Sequence, residues 1–122
     1  MPTILQNHYV LAVQNVRESA RFYVEALGFR ITAQPKGWIF VEKDNCTIML
    51  GECPSDMRAG ELGSHSYFAY LRVDDAAAYH SNLKDKGVQN VGDLRDQPWG
   101  MREFALASPD GHRMMIGQKI GQ

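Results

Sequence analysis

The side chains able to do chemistry are few in this sequence, and most stand apart from one another. Of its four histidines, His8 opens an alternating run, His65 precedes a second such run, His80 falls in a helical stretch and His112 in a turn. Cys46 and Cys53 are spaced neither as a CxxC redox pair nor as part of a zinc knuckle, and they read as reduced structural thiols. No nucleophile has a base beside it. What recurs instead is a set of aromatic and thioether side chains, Trp38, Phe40, Met49, Phe68, Tyr70, Trp99, Met101 and Met115, with His8, Arg72 and Glu103 as polar companions. Rings stack, methionines adapt and a few polar groups set orientation, which is the chemistry of a cleft for a flat, partly aromatic organic ligand. The bland alternative is that the same side chains form an ordinary dimer core.

The elements that must position these residues are legible from periodicity. His8 to Val13 alternates as a strand, with Leu11 and Val13 on one side and His8, Val10 and Ala12 on the other. Asn15 can cap a helix with Glu18 as its capping-box partner, Val16, Ala20, Tyr23, Val24 and Leu27 share one face, and Gly28 closes it. After Phe29 to Ala33 and a Pro35-Lys36-Gly37 turn come Trp38 to Glu42 and Thr47 to Leu50, read as a hairpin about Asp44-Asn45. A two-residue turn there pairs Phe40 with Met49 and Trp38 with Gly51; a three-residue turn reverses their facing.

The plan then repeats. Tyr67 to Val73 reads as a strand, Asp74-Asp75 caps a helix from Ala76 to about Lys86, and Gly87 ends it. A last hairpin runs from Arg102 to Ala107, turns at Ser108 to Gly111 and returns from Arg113 to Gly117, pairing Ala105 with Met115. Val13 matches Val73 at an offset of 60, and Met49 matches Met115 at an offset of 66. The six extra residues fall in the loop holding Trp99. Each half reads strand, helix, then three strands.

At 122 residues the chain is one domain's worth, with module one at about 4–53, a linker at 54–64 and module two at about 65–118. A formal charge of −1 supplies no general field for nucleic acid or an anionic membrane. No apolar run approaches a membrane span, and the N-terminal residues lack the features of a secretory signal, so a cytoplasmic location is expected.

A doubled βαβββ unit in so short a chain resembles the vicinal oxygen chelate superfamily of glyoxalases, extradiol dioxygenases and bleomycin-resistance proteins. The likeness is carried by His8 to Val13, by Phe22-Tyr23 through Leu27-Gly28-Phe29, by Val73-Asp74-Asp75, and by Pro98 to Phe104 followed by Ser108-Pro109-Asp110-Gly111-His112. The resemblance implies an α+β fold, two tandem modules forming a curved mixed sheet with helices on its convex face. In metal-using members four equivalent strand positions hold a divalent ion, and here they fall on His8, Met49, Phe68 and Met115. Three are apolar, and no hard ion exchanges its hydration for Phe and Met. Thioethers suit Cu(I), which leaves a copper site at His8, Met49 and Met115 as a minor alternative. His65 is no substitute ligand, standing three residues before Phe68.

The pattern is most similar to the bleomycin-resistance branch, whose members bind without metal in clefts between two copies of the chain. It implies a homodimer that sequesters a small molecule, with no cofactor and no catalytic residue. The alternative is a metal-dependent lyase, isomerase or thiol transferase of the glyoxalase type, built on His8 with Glu52 or Glu103. A metal-free proton-transfer enzyme using His8 or Glu103 beside Arg72 is a further possibility.

Overall fold

A computed structural model describes residues 2–63 and 66–121; His65 lies outside them. The chain divides into two compact units between Arg58 and Ala59. In the first, the strands are β1 (His8–Val13), β2 (Arg30–Ala33), β3 (Trp38–Lys43) and β4 (Cys46–Glu52). They form a four-stranded sheet in the order β1-β4-β3-β2, with β1 parallel to β4 and the other neighbours antiparallel. The second unit repeats this with β5 (Tyr67–Arg72), β6 (Arg95–Asp96), β7 (Met101–Ala107) and β8 (Arg113–Lys119) in the order β5-β8-β7-β6. The α+β fold of two modules expected from the sequence is therefore present, as two four-stranded mixed sheets.

Each sheet is covered on one face by a helix. Asn15 caps α1 (Val16–Arg21) by accepting from the Glu18 amide at 3.1 Å, and Asp75 caps α2 (Ala76–Asp85) by accepting from Ala78 at 3.0 Å. Beyond Arg21 the helix widens into a π-helical turn over Phe22–Ala26, a departure from the regular helix expected. It still buries Tyr23 and Leu27 beside Val16 and Ala20, while Val24 is only half-buried. Both helices end at a glycine of left-handed backbone, Gly28 at φ +77° and Gly87 at φ +72°, which a side chain would strain.

The large apolar residues of the central strands alternate under these helices. Ile39, Val41, Ile48 and Leu50 are buried in module one, and Phe104, Leu106, Met114 and Ile116 in module two. Burying such side chains contributes on the order of 1.5–3 kcal/mol each, which is what fixes strand register. The first hairpin turns in two residues, pairing Lys43 with Cys46, Phe40 with Met49 and Trp38 with Gly51. Asp44 takes a positive φ of 52° there. The second pairs Ala105 with Met115, and the Ser108 amide donates to the His112 carbonyl at 2.9 Å.

Module two departs from its expected plan in one strand. The counterpart of β2 shrinks to Arg95–Asp96, which pairs with Glu103 and Arg102 of β7, and a separate isolated bridge joins Val91 to Leu106. The intervening run, with Asn90 at φ +59° and Gly92 and Asp93 after it, favours turns over a ladder.

Candidate functional site

The face of each sheet opposite its helix carries the predicted residues. In module one, three cross-strand rows follow from the register: His8, Thr47 and Glu42; Val10, Met49 and Phe40; Ala12, Gly51 and Trp38. The middle row is the apolar floor. Val10 is 62% exposed, and Phe40 and Met49 are half-buried. In the last row the Trp38 indole lies over Gly51, where a Cβ would meet its ring atoms at 2.9–3.2 Å. Trp38 stands edge-on to Phe40 with ring centroids 6.2 Å apart and keeps 37% exposure. Glycine at position 51 is thus what allows the indole to lie flat on the sheet with an outer surface available for stacking.

His8 ends this face and is exposed, its Nε2 3.0 Å from Gln6 Oε1. Its row is otherwise polar: Glu42 accepts from Arg30 at 2.7 Å and from Thr47 at 3.4 Å. Glu52, weighed as a recruited metal ligand, accepts from the Val16 amide at 3.2 Å and so serves the start of α1. Gln118 does the same for α2, accepting from Ala76 at 2.9 Å. The two residues hold equivalent places just after Gly51 and Gly117, a repeated device that hydrophobic periodicity does not register. Among the described residues no group of three or more His, Cys, Asp or Glu is placed to hold a metal ion.

Module two repeats the ring-over-glycine arrangement with different chemistry. Tyr70, Met115 and Ala105 form one row; Arg72, Gly117, Glu103 and Arg95 form the next. The Tyr70 phenol leans diagonally into the space that a side chain at Gly117 would fill, and its hydroxyl donates to Glu103 Oε2 at 2.6 Å. Glu103 is 5% exposed, whereas Tyr70 keeps 43% exposure through its ring. Withdrawal of the hydroxyl end from water, reinforced by the bond to Glu103 and its charge, pushes the Tyr70 pKa up to about 12, against a smaller lowering by Arg72. The phenol is therefore a fixed hydrogen-bond donor at neutral pH.

The remaining candidates sit less regularly. Phe68 is the extra residue of a bulge, since Tyr67 pairs with Arg113 and Ala69 with Met114, so alternation alone does not place it beside Tyr70. Its ring lies edge-on to His112 at 6.2 Å. His112 occupies the turn, as expected, yet reaches back to this end of the strand, which the sequence reading did not foresee. Met101 begins β7 and is half-buried, and Trp99 is 65% exposed in the turn before it. A recess of about 340 Å³ is lined by residues including Leu5, Asn7, Glu42 and Thr47, and another of about 320 Å³ by residues including Tyr67, Val91, Leu106 and Arg113. Neither includes the predicted aromatic set, which lies on open sheet surface within each module.

Two mixed sheets of this topology, each with an aromatic ring laid over a glycine, define a tandem βαβββ protein. Residues 5–116 match the family described as Glyoxalase/Bleomycin resistance protein/Dioxygenase superfamily, and the chain belongs to that family. It is similar to a bleomycin resistance protein of Geobacillus stearothermophilus, 25% identical over 130 aligned positions that cover 96% of this chain and 98% of the relative. Among solved structures it resembles a bleomycin resistance determinant encoded on the transposon Tn5, at a TM-score of 0.78 and 26% identity, covering 95% of this chain and 98% of that one. It also resembles a bleomycin-binding protein complexed with bleomycin, at a TM-score of 0.74 and 25% identity, covering 98% and 100%.

Proposed function

We propose that this protein binds and sequesters a small aromatic or amphipathic molecule without the aid of a metal, as a resistance or carrier protein of the cytoplasm. The observation that carries this reading is the open aromatic face of module one, where Trp38 lies over Gly51 and stands edge-on to Phe40 above a floor of Met49 and Val10. Apolar rings left exposed on one continuous surface mark a place where something else binds. The names of its bleomycin-binding and bleomycin-resistance relatives favour the same mode.

The working unit in this proposal is a homodimer, with module one of one copy facing module two of the other and the ligand held between them. In each module β1 or β5 ends its sheet, and an open edge is a natural place for a second copy to pair. His8, Trp38, Phe40 and Met49 would line one wall; Phe68, Tyr70, Arg72, Glu103 and Met115 the other; Trp99 and Met101 the mouth. The ligand need not be bleomycin itself, because a chain at −1 offers little overall attraction for so cationic a molecule.

Substitution tests the reading. Trp99→Ala or Phe40→Ala should weaken ligand affinity while leaving the fold intact, and His8→Ala should be nearly neutral. Loss of all activity in His8→Ala, together with about one metal ion bound per chain in the parent, would instead establish the glyoxalase-type enzyme.

A further inference from the structure

We propose that Glu103 reads a hydrogen-bond donor on the ligand, so that module two selects aromatic molecules bearing an N–H group such as a carboxamide over equally flat molecules lacking one. The proposal rests on the binding reading above and specifies the chemistry the ligand must carry. Glu103 is 95% withdrawn from solvent, yet it is not enclosed by partners. Tyr70 donates to Oε2 at 2.6 Å, and no described residue donates to Oε1. A carboxylate has lone pairs for about four hydrogen bonds, and Oε1 is not among the fully buried atoms left without a partner, so it keeps an opening to the surface through which a ligand can reach it. Gly117 leaves the row between Arg72 and Glu103 without a side chain of its own, and the atoms nearest that space are those of the Tyr70 phenol tip.

The charges around Glu103 decide between a donor and a bare cation. Arg72 and Arg95 lie in the same cross-strand row, and Arg95 pairs with Asp93 at 3.5 Å, whereas neither arginine forms an ion pair with Glu103. Two guanidinium groups beside one carboxylate offset its pull on a distant positive charge, but they do not supply the short, directed contact that Oε1 lacks. A neutral N–H meets that need, and a carboxamide also presents a carbonyl that Arg72 can meet. Tyr70, held by Glu103, is a positioning residue that fixes the carboxylate's orientation.

The test uses the full chain and three probes that share one ring system: anthracene-2-carboxamide, its N,N-dimethyl derivative and anthracene-2-carboxylate, titrated by tryptophan quenching. The carboxamide should bind roughly tenfold or more tightly than the dimethyl analogue, and more tightly than the carboxylate, which also lacks an N–H. In Glu103→Gln the Tyr70 hydroxyl takes the remaining carbonyl oxygen and an NH2 faces the ligand, so the preference should vanish or invert. Tyr70→Phe, which keeps the carboxylate but frees its orientation, should lower the preference without abolishing it. If the wild-type protein binds carboxamide and dimethylamide alike, the proposal is wrong while the stacking face stands, and that result needs no variant to fold. If none of the three probes binds saturably, the binding reading fails and this inference with it.

Discussion

Gly117→Ala probes the Tyr70 and Glu103 arrangement through a single added methyl. Gly117 has no left-handed backbone to strain, so the substitution acts through space alone: the new Cβ would clash with the Tyr70 hydroxyl and lie 2.6 Å from Cζ and 2.9 Å from Cε1. The phenol is the far end of a flexible side chain and must swing away. A hydrogen bond to a charged group contributes about 1.5–3 kcal/mol, discounted to about 1 kcal/mol because Tyr70 is 43% exposed and partly screened by water. Leaving Glu103 without its donor adds about 1 kcal/mol or more, and the smaller unfolded-state entropy of alanine returns roughly 0.5–1 kcal/mol. The net loss is about 1–2 kcal/mol, a fall in Tm of roughly 5–10 °C for a chain of this size.

The same variant has a spectroscopic signature. In the parent, ultraviolet titration should show one tyrosine, identified by its absence in Tyr70→Phe, ionising at about 12 instead of the ordinary value of about 10. A raised folded-state pKa means that the native state holds this proton more tightly than the unfolded chain. Its contribution to stability is therefore full below about pH 10 and disappears as pH rises through about 12. In Gly117→Ala that tyrosine should titrate near the ordinary value. A variant that melts with the parent and keeps its high-pH tyrosine would refute the contact on which this reasoning depends.

Three further outcomes are expected. Trp38→Ala or Phe40→Ala should weaken binding of a planar aromatic probe roughly 3–10-fold, the worth of one good ring contact, with the far-ultraviolet circular dichroism unchanged; equal affinities would remove these rings from the site. Glu52→Ala and Gln118→Ala, each leaving a helix-start amide without its acceptor, should each cost about 0.5–2 kcal/mol in urea unfolding, and a neutral result for both would show that the repeated contact carries no stability. Met114→Ala, at a fully buried position, should cost about 2–5 kcal/mol, against less than 0.5 kcal/mol for the exposed Met57→Ala.

The parts of the fold that depend on local chemistry were legible in the residues. Asn15 and Asp75 as caps, Gly28 and Gly87 as stops, and a hairpin turn about Asp44-Asn45 all follow from short-range rules. The residues leave that turn at either two or three positions, and it is the two-residue register of the structure that places Trp38 and Phe40 on the face with Met49. The repeat made the second module readable from the first. What escaped the sequence depends on contacts across strands: the bulge at Phe68, the ring of His112 against it, the indole lying on Gly51 and the phenol filling the place of Gly117. A missing side chain leaves no hydrophobic signal, so neither glycine announces the ring it supports. The reduction of one strand to Arg95–Asp96 shows the converse, turn-forming residues overriding the pattern copied from module one.

The most direct test of metal-free aromatic binding is tryptophan quenching of chelator-treated protein by anthracene-2-carboxamide, repeated after addition of zinc, nickel, manganese or iron. Both tryptophans of the chain, Trp38 and Trp99, belong to the proposed cleft. Saturable quenching that is the same with and without metal is the expected result; quenching that appears only once a metal is bound would contradict it.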